Sequence, residues 1–365
     1  MSIVKIFFNS LLCLCIMIGT LSFRLFAGEP VEKKLDDFIH LAKTKANAGN
    51  WDGAKEDYEK ALELANLLDD IEKLTAIHRA LGNLALRKGD YKGASDKFNK
   101  SLEMAREYGK PRDVIESLRS LGTGYWRKGE YGRALGHLDE ALHLANKEED
   151  DEAIAQVYMA MANVFDEKGE YDRGVGYAKQ SLAYFEKVGN QQSVATILNN
   201  IGVAYARMDN FEESVKYYEK CIDISDRIGY VLMNAWALFN AGEDYAKLGK
   251  FGKSIEYCQK SLDVFKKMDD KLGLSGAYMS FAIAYKLNQD YDRSLGYFEK
   301  SIALREELGM PYRLGDGLYE AGLMLAEKGD NDQAKNYLER ALRIFDSINS
   351  KTMVERSKAA LSKLE

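Results

Sequence analysis

Only three prolines occur in the 365 residues: Pro30, Pro111 and Pro311. Proline lacks the amide hydrogen that a helix interior requires, so this scarcity leaves long stretches free to stay helical. It also excludes collagen, proline-rich linkers and most low-complexity architectures. Cysteine is nearly as rare. Of the four cysteines, Cys13 and Cys15 lie in the first 27 residues, which leaves Cys221 and Cys258 beyond them. Two are too few for a disulfide framework, so the fold must rest on a hydrophobic core. Positive charge is not in excess either. The formal net charge of −6 argues against a nucleic-acid-binding surface over the whole molecule.

Residues 1–27 differ from everything that follows. Lys5 precedes an apolar run at 6–23, interrupted by Asn9 and Ser10, and then come Arg24 and a small residue, Ala27, before Gly28. A basic start, a short apolar stretch and a small residue read as a secretory signal peptide, so the chain is expected to be exported, to a periplasm or the exterior. Leu25 and Arg24 depart from that pattern. The alternative is an uncleaved membrane anchor at 6–23, since the run approaches the length needed to span a bilayer.

Beyond a leader at 28–34, small residues recur every 40 positions: Ala42, Gly82, Gly122, Ala162, Gly202, Gly242, Ala282 and Gly322. Nine residues after each comes Trp51, Tyr91, Tyr131, Tyr171, Phe211, Phe251, Tyr291 or Asn331, aromatic in seven of eight cases. No insertion breaks the register across residues 35–354. Small residues at fixed places let two helix backbones approach closely, and large aromatics fill the gaps beside them. Glycine-bearing turns, such as Lys88-Gly89-Asp90, separate the two helices of each unit. A second turn falls near Gly109, Gly189, Gly229 and Gly309, with Asp69, Asp269 and Asn349 at that place in three other repeats and Glu149 departing from it. One such hairpin cannot bury its own apolar face, so neighbours must stack.

The pattern resembles the tetratricopeptide repeat. The third unit carries it as Leu118, Leu121-Gly122, Tyr125, Tyr131, Ala134, Leu138 and Ala141. The fifth carries it as Leu198, Ile201-Gly202, Tyr205, Phe211, Ser214, Tyr218 and Cys221. The departure is length, 40 residues where 34 is usual, without the proline that ordinarily closes the second helix. Long repeats of this kind look like those of the Leu-Gly-Asn family of G-protein signalling modulators and of bacterial tetratricopeptide sensors. The resemblance implies an all-α superhelical solenoid of about eight helix hairpins, each second helix extended by about a turn, with a capping helix at 355–365.

No chemistry of catalysis stands out. Gly252-Lys253-Ser254 has Lys247 where a phosphate-binding loop needs glycine. Gly122-Thr123-Gly124 lacks the third glycine of a dinucleotide fingerprint, and no strand precedes it. His40, His78, His137 and His143 include no pair at metal-ligand spacing. His78 occupies a large apolar place and reads as a packed core histidine. Cys221 and Cys258 read as small buried residues of second helices, with a bridge conceivable in an oxidising compartment. The expectation is a protein without enzymatic activity, cofactor or metal.

The resemblance also implies a ligand face, formed by the first helices at the second, fifth, ninth, twelfth and thirteenth places of each repeat. Carried over to the second and third repeats, these places hold Arg79, Asn83, Arg87, Arg119, Trp126 and Arg127. Further along they hold Met159, Asn163, Asn199, Arg207, Trp236, Phe239, Met279 and Tyr319. A basic, amide-bearing half followed by an apolar half suits a protein or peptide with acidic groups, because arginine binds carboxylates through paired donors. The expected function is therefore non-catalytic partner binding, as a static scaffold or as a sensor that changes pitch on binding.

Overall fold

The computed structural model describes residues 30–47 and 49–364, so the expected signal or anchor at 1–27 lies outside the described residues. Among the described residues every regular element is a helix. In chain order they are α1 (Val31–Asn47), α2 (Trp51–Leu67), α3 (Ile71–Arg87), α4 (Tyr91–Tyr108), α5 (Pro111–Arg127) and α6 (Tyr131–Lys147). Then follow α7 (Asp151–Glu167), α8 (Tyr171–Lys187), α9 (Gln191–Arg207), α10 (Phe211–Ile228), α11 (Val231–Lys247) and α12 (Phe251–Lys267). The last are α13 (Lys271–Leu287), α14 (Tyr291–Glu307), α15 (Pro311–Lys328), α16 (Asn331–Ser347) and α17 (Lys351–Leu361). Odd-numbered helices up to α15 are the first helices of the repeats, and even-numbered ones are the second.

Two details differ from expectation. Each first helix begins four residues ahead of the frame counted from residue 35, so the terminal helix starts at Lys351 and not at 355. The second helix is not the elongated member. In the third repeat, α5 and α6 are 17 residues each, so the added length is divided between the two helices.

Near-equal helices and short joints give the chain a 20-residue beat. A left-handed residue marks the joints from Gly49 (φ 78°) and Asp69 (φ 50°) to Gly329 (φ 88°) and Asn349 (φ 56°), with a single exception after α4. At Asp69 the chain reverses as the amide of Asp70 donates to Ala65 O at 3.1 Å. Asp70 then caps the next helix, its Oδ1 accepting from Lys73 N at 3.0 Å. At the exception, Gly109 is extended (φ −87°, ψ 172°) and leads to Pro111 at the helix start. Gly309 stays left-handed one residue before the Met310-Pro311 pair, so proline alone does not explain the difference.

The chain forms two compact units, dividing at residue 153. In the first, α1 to α6 pack as successive hairpins, and α3 also touches α5. In the second, each helix from α9 to α17 packs on the one before it, and α11 touches both α9 and α13. Direct contact between successive first helices places them in the inner row of each unit, with the second helices outside.

The repeating small residue explains how close a hairpin can be. A Cβ on Gly82 would overlap the Phe98 ring, and one on Gly202 would lie 2.5 Å from Tyr218. Serines of the second helices reach back across the hairpin. Ser101 Oγ donates to Thr75 O at 3.1 Å, Ser181 Oγ to Ala155 O at 2.8 Å and Ser261 Oγ to Ala235 O at 2.9 Å. Further along four of the hairpins sits a stacked ring pair twelve residues apart. Tyr125–His137, Phe165–Tyr177, Tyr205–Tyr217 and Tyr285–Tyr297 stack with centroids 5.2–5.6 Å apart. In the first repeat the same two places hold an ion pair, Lys45–Asp57, at 2.6 Å.

Candidate binding face

In the first unit, Arg79 of α3 and Arg119 of α5 stand 40 residues apart at the same place of neighbouring first helices. Both are half-buried. Arg119 Nη2 lies 2.5 Å from Glu116 Oε2, but its Nε is buried without a hydrogen-bond partner, as is Arg79 Nη1. Burial lowers the Arg79 guanidinium from its ordinary value, while the charges of Glu116 and Asp113 work in the opposite sense. A buried N–H without an acceptor is costly, so these two donors weigh against the stability of the face. Asn83, Arg87 and Arg127 are exposed. The Arg127 guanidinium lies over the half-buried Trp126 ring at 4.6 Å. The six residues thus form a basic, amide-bearing face, with part of its charge already spent on Glu116.

In the second unit, the two asparagines expected on the face, Asn163 and Asn199, are half-buried. Asn199 accepts at 3.1 Å from Asn240 Nδ2, which links α9 to α11 by side-chain amides. Arg207 is engaged by Asp166, whose other oxygen is buried and unpartnered. Burial raises that carboxyl, with Arg207 opposing. Trp236 meets Phe239 edge-on at 5.6 Å and Phe265 at 5.2 Å. Phe239 and Tyr319 remain half-buried, and Tyr319 packs on the last core cluster. Met159 packs against core residues of α8 and α9.

Two expectations need correction. Met279 is 6% exposed and belongs to the core, because repeat stacking covers it. Nor is this half simply apolar. Arg305 is buried, donates to Arg313 O at 2.6 Å and sits 3.8 Å from the Asp316 carboxylate. Lys286 Nζ lies 3.4 Å from Glu320 and 3.5 Å from Glu327. Asp316 is pushed up by burial, with Arg305 opposing, and Glu243 adds to the negative field there. These acids occupy second, sixth, ninth and thirteenth places of their repeats. Periodicity marks the places but does not show that charges from α11, α13, α14 and α15 converge.

His78, the expected core histidine, is driven down to about 4 by burial and by the nearby Lys97 and Lys100. Cys221 and Cys258 are buried free thiols, each pushed up by burial, to about 11 and about 12. Among the described residues, no three His, Cys, Asp or Glu side chains group as metal ligands, and no helix is long and apolar enough to cross a membrane.

Comparison with known proteins places this architecture. The tetratricopeptide repeat matches residues 38–107, 193–267 and 274–347, and a second tetratricopeptide repeat description matches 117–152. No curated protein sequence matches the chain. Among solved structures, the chain is similar to aspartyl phosphate phosphatase F from Bacillus subtilis, with TM-score 0.62 and 18% identity over 80% of this chain and 74% of that one. A Rap protein complexed with competence and sporulation factor aligns with TM-score 0.59 and 14% identity, over 89% of this chain and 99% of that one. The signal-transduction ATPase with a tetratricopeptide repeat sensor from Pyrococcus horikoshii aligns with TM-score 0.64 and 15% identity, over 89% of this chain but 50% of that one. At such identities the likeness concerns the fold. The matched repeats span more than half of the sequence, and the chain belongs to the tetratricopeptide repeat family.

Proposed function

We propose that the protein is a non-catalytic binding module that holds a peptide or a protein segment against its first helices. The observation that carries this reading is the pair of half-buried arginines, Arg79 and Arg119, at the same place of neighbouring first helices beside the exposed Asn83, Arg87 and Arg127. A carboxylate of the partner would pair with this cationic, amide-bearing face. Repeat stacking within each unit orders its part of the face in advance, so little ordering entropy is lost there on binding. The fold comparison supports the class of partner, since one solved Rap protein is complexed with competence and sporulation factor and another is in complex with the Phr* peptide.

The exposed cations of the first unit favour a partner with acidic groups there. The test is selection from a random peptide library on the full-length chain, followed by titration of the selected peptide with tryptophan emission as the readout. Trp126 and Trp236 report on the face. Replacing Arg79 and Arg119 together by alanine is expected to weaken a selected acidic peptide at least tenfold. Unchanged affinity and unchanged emission would place the site elsewhere.

The second reading is a sensor that compacts when the peptide binds, as suggested by the tetratricopeptide sensor of the similar Pyrococcus protein. Small-angle scattering with and without the selected peptide separates the two, and an unchanged radius of gyration removes the sensor. Export, or anchoring by residues 6–23, is part of the same proposal. Sequencing the N-terminus of the protein from its native cell decides between them.

A further inference from the structure

Away from the inner face, the joint between the second and third repeats holds a cavity of about 530 Å³, between the start of α4 and the end of α5. Tyr91, Ser95 and Asp96 border it on one side, and Gly124, Tyr125 and Lys128 on the other. Buried Phe98 and Leu121 form its base.

The 40-residue register shows why space is left here. In the third to seventh repeats the places equivalent to Ser95 hold Leu135, Val175, Val215, Ile255 and Leu295. In the second and the fourth to eighth repeats, those equivalent to Gly124 hold Leu84, Val164, Ala204, Asp244, Ala284 and Met324. In the second unit these places pack together. Val175 and Ala204 share one core cluster, and Leu295 lies against the cluster that contains Met324. The pair Ser95 and Gly124 removes apolar volume from both sides of the same joint. A second observation agrees: Tyr91 is 42% exposed, whereas Tyr131, Tyr171, Phe211, Phe251 and Tyr291 at the same place are half-buried.

Its charges have a definite arrangement. Lys128 and Arg133 both pair with Glu130, at 2.5 Å and 2.9 Å, and Arg133 lies over the Tyr125 ring at 5.4 Å. Lys92 and Asp96, four residues apart on α4, stand at the rim, and neither has an ion-pair partner among the described residues. The site therefore offers rings and missing aliphatic volume inside, with a cation and an anion still available at its mouth.

We infer that this cavity binds a small aromatic zwitterion of amino-acid size, its ring between Tyr125 and the Phe98 base, its carboxylate toward Lys92 and its ammonium toward Asp96. The volume lies within the usual range for small-molecule sites, where apolar walls and a few placed polar groups share the work. The inference does not rest on the inner-face reading.

Calorimetry on the full-length chain tests it, with L-tryptophan and L-tyrosine as probes. L-Leucine, 3-phenylpropionate and phenethylamine lack, respectively, the ring, the ammonium and the carboxylate. At least one aromatic amino acid is expected to bind, and the three comparison compounds at least tenfold more weakly. Ser95→Leu restores the residue found at two other repeats and should abolish binding while leaving the melting temperature unchanged or higher. Gly124→Ala is the second filling variant. A Cβ there would come 3.3 Å from the Phe98 ring, which has the cavity to move into. No heat with either probe at millimolar concentration, equal binding of leucine, or undiminished binding by both folded filling variants would overturn the proposal.

Discussion

Gly202 lies directly beneath the ring of Tyr218, so close that a Cβ would come within 2.5 Å of the ring edge. The missing side chain sets the separation of α9 and α10, and Tyr218 in return is only 2% exposed. Packing of this kind tolerates neither vacancy nor addition.

Gly202→Ala is therefore expected to destabilise the protein by about 1–3 kcal/mol, since the added methyl forces the Tyr218 ring off its position. Gly176, on the exposed surface of α8, has nothing within 4 Å of the place a methyl would occupy. Gly176→Ala should instead stabilise by about 0.5–1 kcal/mol through helix propensity. Urea unfolding of both variants checks this, and equal effects would contradict the close-approach account.

Asp244 gives a dependence on pH. Its carboxyl is 3% exposed and is pushed up to about 6 by burial, against the hydrogen bond from Ser214 and the charge of Lys247. An unfolded aspartate titrates near 3.9. Between these values the native state holds the proton more tightly, so this group's contribution to stability is present below about pH 4 and is lost as pH rises through 6. Asp244→Asn removes that titration and keeps an acceptor for Ser214. The variant should match the parent near pH 4 and exceed it by up to about 3 kcal/mol at pH 7.5, taking 1.36 kcal/mol for each unit of the difference. Melting curves at the two pH values decide it, and a gain that is the same at both would exclude burial of the charge as its cause.

The thiols of Cys221 and Cys258 are buried and held near 11 and 12, so almost no thiolate exists at pH 8. In a chain with Cys13 and Cys15 replaced by serine, neither thiol should react with a disulfide reagent until the fold opens. Both should react in urea. Rapid stoichiometric modification of the native protein would contradict their burial.

The eight hairpins are legible in the sequence because each residue of a stacked repeat meets a nearly constant environment, so a 40-residue period carries the core on its own. Gly202 and Tyr218 both stand out in that period. The places of Arg79, Asn83 and Arg119 are legible in the same way, by resemblance. Less is legible of what their side chains do. Glu116, three residues before Arg119, takes part of its charge, and Met279 is covered by its neighbours. The acids around Arg305 and Lys286 come from separate helices, and no spacing along the chain announces their meeting.

Sequence alone determined the helix pairs, their joints and their order, because helix periodicity, small residues and turn-forming residues act locally or between immediate neighbours. Tertiary structure decided which charges remain available, which apolar side chains are covered, and that Ser95 and Gly124 face one another across a single joint. Those outcomes depend on side chains from separate helices competing for the same few ångströms, and that competition is settled only when the helices are stacked.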